Sequence, residues 1–231
     1  MLNKQNKAGA GDRPTRGITL GHVAGVYDLL SPLMTFYQED RLSRKAMNLL
    51  DLEGGERVLD IGCGTGTLTI KIAEQLADLS QKYQVVGLDA AKEMINVCRK
   101  KSSGIRNIRF DIEAAERLPY EDASFDAVIS TFFFHHIDYE LKQMALLEIK
   151  RVLKDTGRAI IVDVAPPSNW FGALCAWSGY FLFRQAEIKE NIQGKLVTAI
   201  ESCKFKTLTK ISQHMGYIAI YSLKKSEENP L

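Results

Sequence analysis

The feature that most constrains this chain is the stretch Arg57-Val58-Leu59-Asp60-Ile61-Gly62-Cys63-Gly64-Thr65-Gly66-Thr67-Leu68-Thr69. Val58, Leu59 and Ile61 form the apolar, β-branched run of a central parallel strand. Gly62, Gly64 and Gly66 turn the chain sharply and let a ligand approach bare backbone. The residues from Thr67 to Ala73 then read as a helix, whose first N–H groups point at whatever lies on the loop. A strand, a glycine turn and a helix in that order imply a nucleotide-like cofactor.

Further strand–helix units follow. Strands are expected at 57–61, 84–89, 107–111, 126–130 and 158–164. Helices are expected at about 67–79, 92–101 and 140–153, with a turn at Asp155-Thr156-Gly157. This alternation predicts a doubly wound α/β fold, mostly parallel, with helices on both faces. It would close with an antiparallel hairpin at about 207–213 and 217–223, after a helix near 188–203. Ligands of such sheets bind beyond the carboxyl ends of the strands. Residues 18–52 read as two helices broken at Tyr27-Asp28-Leu29-Leu30-Ser31-Pro32, the second running from about 33 to 50. The expected organisation is a polar disordered tail over 1–17, one domain over 18–224 and a loose tail over 225–231. Within the domain, 18–52 is a helical lid and 168–203 a substrate-side helical insertion.

Charge and cysteine usage narrow the partners. A net charge of +2 gives no argument for nucleic acid. Cys63, Cys98, Cys175 and Cys203 are far apart with no CxxC pair, which fits reduced thiols in a cytoplasmic protein and suggests no metal site. The polar N-terminus does not read as a secretory signal, and no apolar run reaches the roughly 20 residues of a membrane span.

A dinucleotide fingerprint counted from Gly62 and Gly64 would require glycine at position 67, where threonine stands. Asp89 closes the second strand, where a carboxylate can accept both hydroxyls of a ribose; capping the next helix is its bland alternative. With VLDIGCGTG (58–66), VVGLDAAKEMI (85–95), AAERLPYEDASFDAVIS (114–130) and EIKRVLKDTGRAIIVD (148–163), the chain resembles the class I S-adenosylmethionine-dependent methyltransferases. The resemblance extends over about residues 22–223. It implies a seven-stranded Rossmann-like sheet and S-adenosylmethionine as cofactor. Asp60 would organise the glycine loop near the methionine amino group. Gly62, Gly64 and Gly66 would admit that moiety, and Asp89 would bind the ribose. Thr69 joins this layout. Met94 would pack on the adenine or merely within its helix. Ala114 and Ala115 would lie beside the adenine, and Thr131 near the methionine end. The family usually carries Asp or Asn where Ala114 stands; Glu113, Asp111 or backbone groups are the alternatives for the adenine amino group.

His135 and His136 follow Phe132-Phe133-Phe134 after the fourth strand. Each is read as a base, as an acceptor-orienting group, or as a loop-shaping hydrogen bonder. Tyr27 forms part of the lid or packs its helix on the sheet. Residues 168–183, uncharged and containing Trp170 and Trp177, read as an apolar pocket, an interfacial helix or a buried core helix. Tyr27, Phe133, Trp170 and Trp177 are expected on the substrate side; with YDLLSPLM (27–34) and the Thr69, Asp89, Ala114-Ala115 and Thr131 layout, the chain most resembles the ubiquinone/menaquinone biosynthesis C-methyltransferases. The expected acceptor is a small hydrophobic molecule such as a quinol or lipid, with peripheral membrane contact. The alternatives are a phospholipid N-methyltransferase and a non-catalytic S-adenosylmethionine-binding module.

Overall fold

The computed structural model describes residues 15–21, 24, 39–76 and 84–225. Seven strands form one sheet: β1 (Val58–Ile61), β2 (Val85–Asp89), β3 (Ile108–Ile112), β4 (Phe125–Thr131), β5 (Leu153–Val164), β6 (Thr207–His214) and β7 (Ile218–Lys224). Their spatial order is β3-β2-β1-β4-β5-β7-β6. β1 pairs in parallel with both β2 and β4, β2 with β3 and β4 with β5; β7 runs antiparallel to both β5 and β6. The sheet is therefore the mostly parallel, doubly wound architecture with a closing hairpin that the sequence predicts.

Burial follows strand periodicity. Leu59, Ile61, Val86, Leu88, Val128 and Ile161 face one core. Val58, Val85, Ala127, Ile129, Ile160 and Val162 face the other. Successive side chains point to opposite faces of a strand, and a parallel sheet must be covered on both. On the second face lie α1 (Glu39–Leu49), α2 (Thr67–Gln75) and α3 (Lys92–Lys101), through Leu42, Ala46, Ile72 and Ile95. α4 (Tyr139–Val152) and α7 (Lys195–Ser202) cover the first through Leu141, Ala145, Ile149, Leu196 and Ile200. α5 (Trp170–Phe183) and α6 (Ala186–Ile192) follow β5.

Several elements differ from expectation. The single helix at 188–203 is two, because Gly194 sits at φ 87°, a left-handed conformation that glycine adopts freely and that interrupts the helix. The turn at 155–157 is absorbed into a long β5, whose pairing with β4 jumps from Leu153 to Arg158. The helix placed at 33–50 is described from Glu39. The 27–32 break, and Tyr27 with it, lies outside the described residues. Of the expected tail over 1–17, residues 15–17 are described, and this end of the chain is tied to the domain. The Thr15 hydroxyl donates to Glu116 (2.5 Å), and the Ile18 N–H donates to the His136 carbonyl (3.1 Å).

The chain winds outward from β1 through β2 to β3, then returns to place β4 on β1's other side. That reversal opens a crevice at the carboxyl ends of β1 and β4.

Candidate active site

The crevice is a cleft of about 670 Å³, part of it open to solvent. Its floor is the glycine loop. Gly62, Gly64 and Gly66 have φ of 71°, 55° and 77°, all left-handed, where a side chain would be strained. A Cβ on Gly62 would fall 2.5 Å from the Phe133 ring; one on Gly66 would fall 2.9 Å from Cys98 Sγ and from Phe110. The Gly62 and Cys63 N–H groups both donate to the Leu88 carbonyl (2.9 and 3.0 Å), which ties the loop to the end of β2.

Asp89 stands beside it and does two jobs at once. Its Oδ2 accepts from the Gly64 N–H (3.1 Å) and its Oδ1 from the Ala91 N–H at the start of α3 (2.8 Å). A carboxylate offers about four lone-pair positions, so both oxygens keep capacity for ligand hydroxyls. Burial pushes its pKa above the ordinary carboxyl range, against the pull of those two N–H groups.

Asp60 lies one layer deeper, fully buried, with Oδ2 accepting from the Thr69 hydroxyl at 2.6 Å. Burial lifts its pKa to about 7, and the nearby charge of Asp89 adds to the lift. Two carboxyls under a glycine loop, both disfavoured as anions, suit a cationic ligand such as an amino acid ammonium.

The other sequence-derived residues divide. Met94, Ala115, Thr131, Phe133 and His136 line the cleft together with Gly62, Gly64 and Asp89. Asp60, Gly66, Thr69, Ala114 and His135 are not on its wall. Glu113, one of the alternatives to a polar residue at 114, does line it. Asp111 is instead held by the Tyr120 hydroxyl (2.9 Å) and Arg109 (3.0 Å). The tryptophans assigned to the substrate side are not in the cleft. Trp170 is 78% exposed, and Trp177 packs against the core of the second face. The sequence suggested them for their apolar bulk, but α5 contributes no residue to the cleft wall.

The two histidines differ sharply. His136 reaches the cleft, its Nδ1 lying 3.3 Å from Gln185 Oε1. Burial, reinforced by the neighbouring His135, pushes its pKa down to about 3. It is therefore a neutral hydrogen-bonding group at pH 7 and a weak proton acceptor. The His135 ring centroid sits 4.0 Å from that of His136, and its Nδ1 lies 2.9 Å from Asp163 Oδ1. Asp163 is wholly buried yet held below the ordinary carboxyl range; burial opposes ionisation, but His135 and the Val164 N–H outweigh it. It also accepts from the Phe134 N–H (2.7 Å) and Asn191 Nδ2 (3.1 Å). An ionised carboxylate can only accept, so the His135 proton on that side sits on Nδ1.

Three features were missed from sequence. Asp163 is the lone charge in the apolar run Ile160-Ile161-Val162-Asp163-Val164-Ala165, and a charge in a buried strand signals a partner. Gln185 gave no signal. Residues 15–17 were read as tail and 18–20 as the start of the lid, and Thr15, Gly17, Ile18, Thr19 and Leu20 together form one wall of the cleft. Phe132, also on the wall, has φ 55°, a strained value for an aromatic residue of the kind that gathers at functional sites.

Residues 52–215 match the methyltransferase domain family. The ubiquinone/menaquinone biosynthesis C-methyltransferase of Citrifermentans bemidjiense is 33% identical over 151 residues, which are 64% of this chain and 62% of that protein. The demethylmenaquinone methyltransferase of Deinococcus radiodurans is 32% identical over 180 residues, 75% of this chain and 72% of that protein. The match thus spans less than two thirds of the length of the first of these relatives. Among solved structures, a SAM-dependent methyltransferase from Aquifex aeolicus superimposes with a TM-score of 0.57 at 19% identity, covering 79% of this chain and 89% of that one. At that identity the likeness speaks to the fold.

Proposed function

This chain belongs to the methyltransferase domain family, and from that premise we propose that it transfers a methyl group from S-adenosylmethionine to a small hydrophobic acceptor, a quinol-type ring bearing a lipid tail. What supports the reading is the cleft itself, where the donor-side loop (Gly62, Gly64, Asp89) faces an apolar wall of Phe132, Phe133 and Ile137. The quinone-pathway names of the relatives point to the same acceptor class.

The residues fit the cofactor. Gly62 and Gly64 present bare backbone to the cleft, Asp89 keeps acceptor capacity for ribose hydroxyls, and Asp60 places a carboxyl beneath the loop that would favour the ammonium. Ala115, Met94 and Glu113 would flank the base, and Thr131 the methionine end. When bound, S-adenosylmethionine supplies a methyl group on a positive sulfur with a neutral leaving group, so the protein has no need to protonate what departs.

The chain's own work is alignment, exclusion of water and removal of one proton. The segment Thr15–Leu20, pinned at Glu116 and at the His136 carbonyl, closes the cleft from above. His136, neutral, orients the acceptor through a hydrogen bond. A ring carbon that forms a new carbon–carbon bond must shed its proton; His136 lines the cleft and the His135 ring sits against it, so we assign the proton to this pair. Asp163 fixes the His135 tautomer and stabilises an imidazolium there.

The test is incubation with methyl-labelled donor and, separately, demethylated quinol, phospholipid and no acceptor. Label in the quinol product is expected. Label only in phospholipid would move the activity to nitrogen methylation, and none with any acceptor would leave a binding module. Asp89→Ala should weaken cofactor binding more than tenfold, since hydrogen bonds to charged groups contribute roughly 1.5–3 kcal/mol. Unchanged affinity would show that the ribose is held elsewhere.

A further inference from the structure

The outward face of α5 is the wrong kind of surface for a helix bathed in water. Gly172 and Ala176 are buried, and Trp177 and Tyr180 pack against the second-face core. The opposite side holds Trp170 (78% exposed), Leu174 (61%), Phe181 (68%) and Leu182 (76%), with Phe171 beside them. At 100° per residue these five fall within one arc of about 120°, and Ser178 is the polar residue among them. The stripe is about 20 Å long at 1.5 Å per residue. A surface helix normally gives this arc to charged side chains.

Cations bracket the stripe. From Pro166 through Ala186 the one charged residue is Arg184, which is exposed and closes the C-terminal end of α5. At the other end, Asn169 precedes Trp170 and abuts Gly216; a Cβ there would lie 2.5 Å from its side chain. Two residues before Gly216 is His214, whose Nε2 lies 3.1 Å from the Ser212 hydroxyl and 3.5 Å from Lys45 Nζ. Lys45 also donates to that hydroxyl (3.0 Å). The charge of Arg41 reaches the same imidazole, which burial and these two cations hold in its neutral form. Arg41 and Lys45 form no ion pair among the described residues.

We propose that α5, with Arg184 at one end and Arg41 and Lys45 at the other, is a docking surface for an anionic lipid bilayer. The helix lies in the plane of the membrane with the Trp170–Leu182 stripe among the acyl chains and the cations on lipid phosphates. Aromatic and leucine side chains flanked by Arg and Lys are what an interfacial helix requires. No described helix is long and apolar enough to cross a membrane, so the contact is peripheral. Charge complementarity selects a lipid surface over a second copy of this chain, which would bring the same cations face to face. The surface also leads to the cleft: Gln185, next to Arg184, lies 3.3 Å from the His136 ring. The proposal deepens the lipophilic-acceptor reading by naming where such an acceptor leaves its bilayer, but docking itself is independent of catalysis.

The experiment is co-sedimentation of the full chain with phosphatidylcholine vesicles, with and without phosphatidylglycerol, paired with calorimetry of cofactor binding. Binding to the anionic vesicles is expected, weakened by salt. Phe181→Ser/Leu182→Ser should lower vesicle partitioning by at least about tenfold, from the lost apolar transfer. Arg41→Gln/Lys45→Gln should remove about fivefold per cation from the anionic vesicles and leave neutral ones unaffected. Both variants alter exposed or rim side chains, and unchanged cofactor affinity will confirm their fold. Absence of vesicle binding by the wild type, or equal binding by the apolar variant, overturns the proposal. So does a stable dimer in solution, dissolved by Phe181→Ser/Leu182→Ser, that ignores vesicles. Failure of methyl transfer with vesicle binding intact would count against the proposed reaction and leave the docking standing.

Discussion

Asp60 makes cofactor affinity depend on pH in a way that can be worked out in advance. Its carboxyl is fully buried, receives one side-chain hydrogen bond, from Thr69, and has its pKa lifted by burial from 3.8 to about 7. From beneath the loop this carboxyl favours an ammonium in the cleft only when it is ionised. Affinity should therefore follow the ionised fraction of the free protein, which falls from about three-quarters at pH 7.5 to about 3% at pH 5.5. That is a loss of about 25-fold in affinity, or roughly 2 kcal/mol. The stability of the cofactor-free protein should run the other way. The folded carboxyl holds its proton more tightly than the unfolded one, so this group's stabilisation is present at acid pH and is lost as pH rises from about 4 to 7, on the order of 4 kcal/mol. The assay is calorimetric titration with S-adenosylmethionine at pH 5.5, 6.5 and 7.5, each in two buffers of different ionisation enthalpy to count the released proton. Asp60→Asn should bind weakly at pH 7.5 and show a flat profile. The reasoning fails if wild-type affinity changes by less than about threefold over this range, or if Asp60→Asn keeps the slope.

Other sites give further expectations. Gly62→Ala forces a Cβ into the left-handed region, at about 1–2 kcal/mol, and against the Phe133 ring. It should lower the melting temperature and cut cofactor affinity more than tenfold, and adding Phe133→Ala should restore part of both; no recovery would break the link to Phe133. Asp163→Asn keeps the volume but removes the charge that fixes the His135 tautomer. Turnover should drop on the order of 100-fold, with a shifted pH profile and little change in cofactor affinity, whereas unchanged turnover would take His135 out of the proton path. His136 has a folded pKa of about 3 against an ordinary 6.5. Its contribution is full above pH 6.5 and declines as pH falls toward 3, amounting to about 3 kcal/mol between pH 7 and 4. Urea unfolding at those two pH values should show a smaller acid loss in His136→Gln than in the wild type, and equal losses would mean that His136 is not buried as described.

The donor half of the cleft was legible because its information is local. Val58 through Thr69 carry strand, turn and helix in one stretch, and Asp89 ends the next strand. The glycine spacing constrains backbone directly, with no help from distant residues. The rest of the cleft and its supports are built by contacts remote in sequence: Asp163 with His135 and Asn191, Gln185 with His136, Thr15 with Glu116. Nothing in the polar run before Ile18 announces that it lies across a cleft, because its order comes from partners on β4's loop and beyond. Trp170 misled for a related reason. Composition reports that a segment is apolar, while only packing decides whether that surface meets core, ligand or solvent.

The strand order separates two kinds of work in one sheet. β1, β2 and the turns after them carry Asp60, the glycine loop and Asp89, whereas α5 and α6 hang from the far side, between β5 and the β6–β7 hairpin. The halves meet along β1 and β4 and share the second-face core, where Ile72 and Ile95 belong to one cluster with Ala176, Ile188 and Ile192. A change of packing on the α5–α6 side is therefore felt beneath the glycine loop. The two halves of the sheet can drift only together.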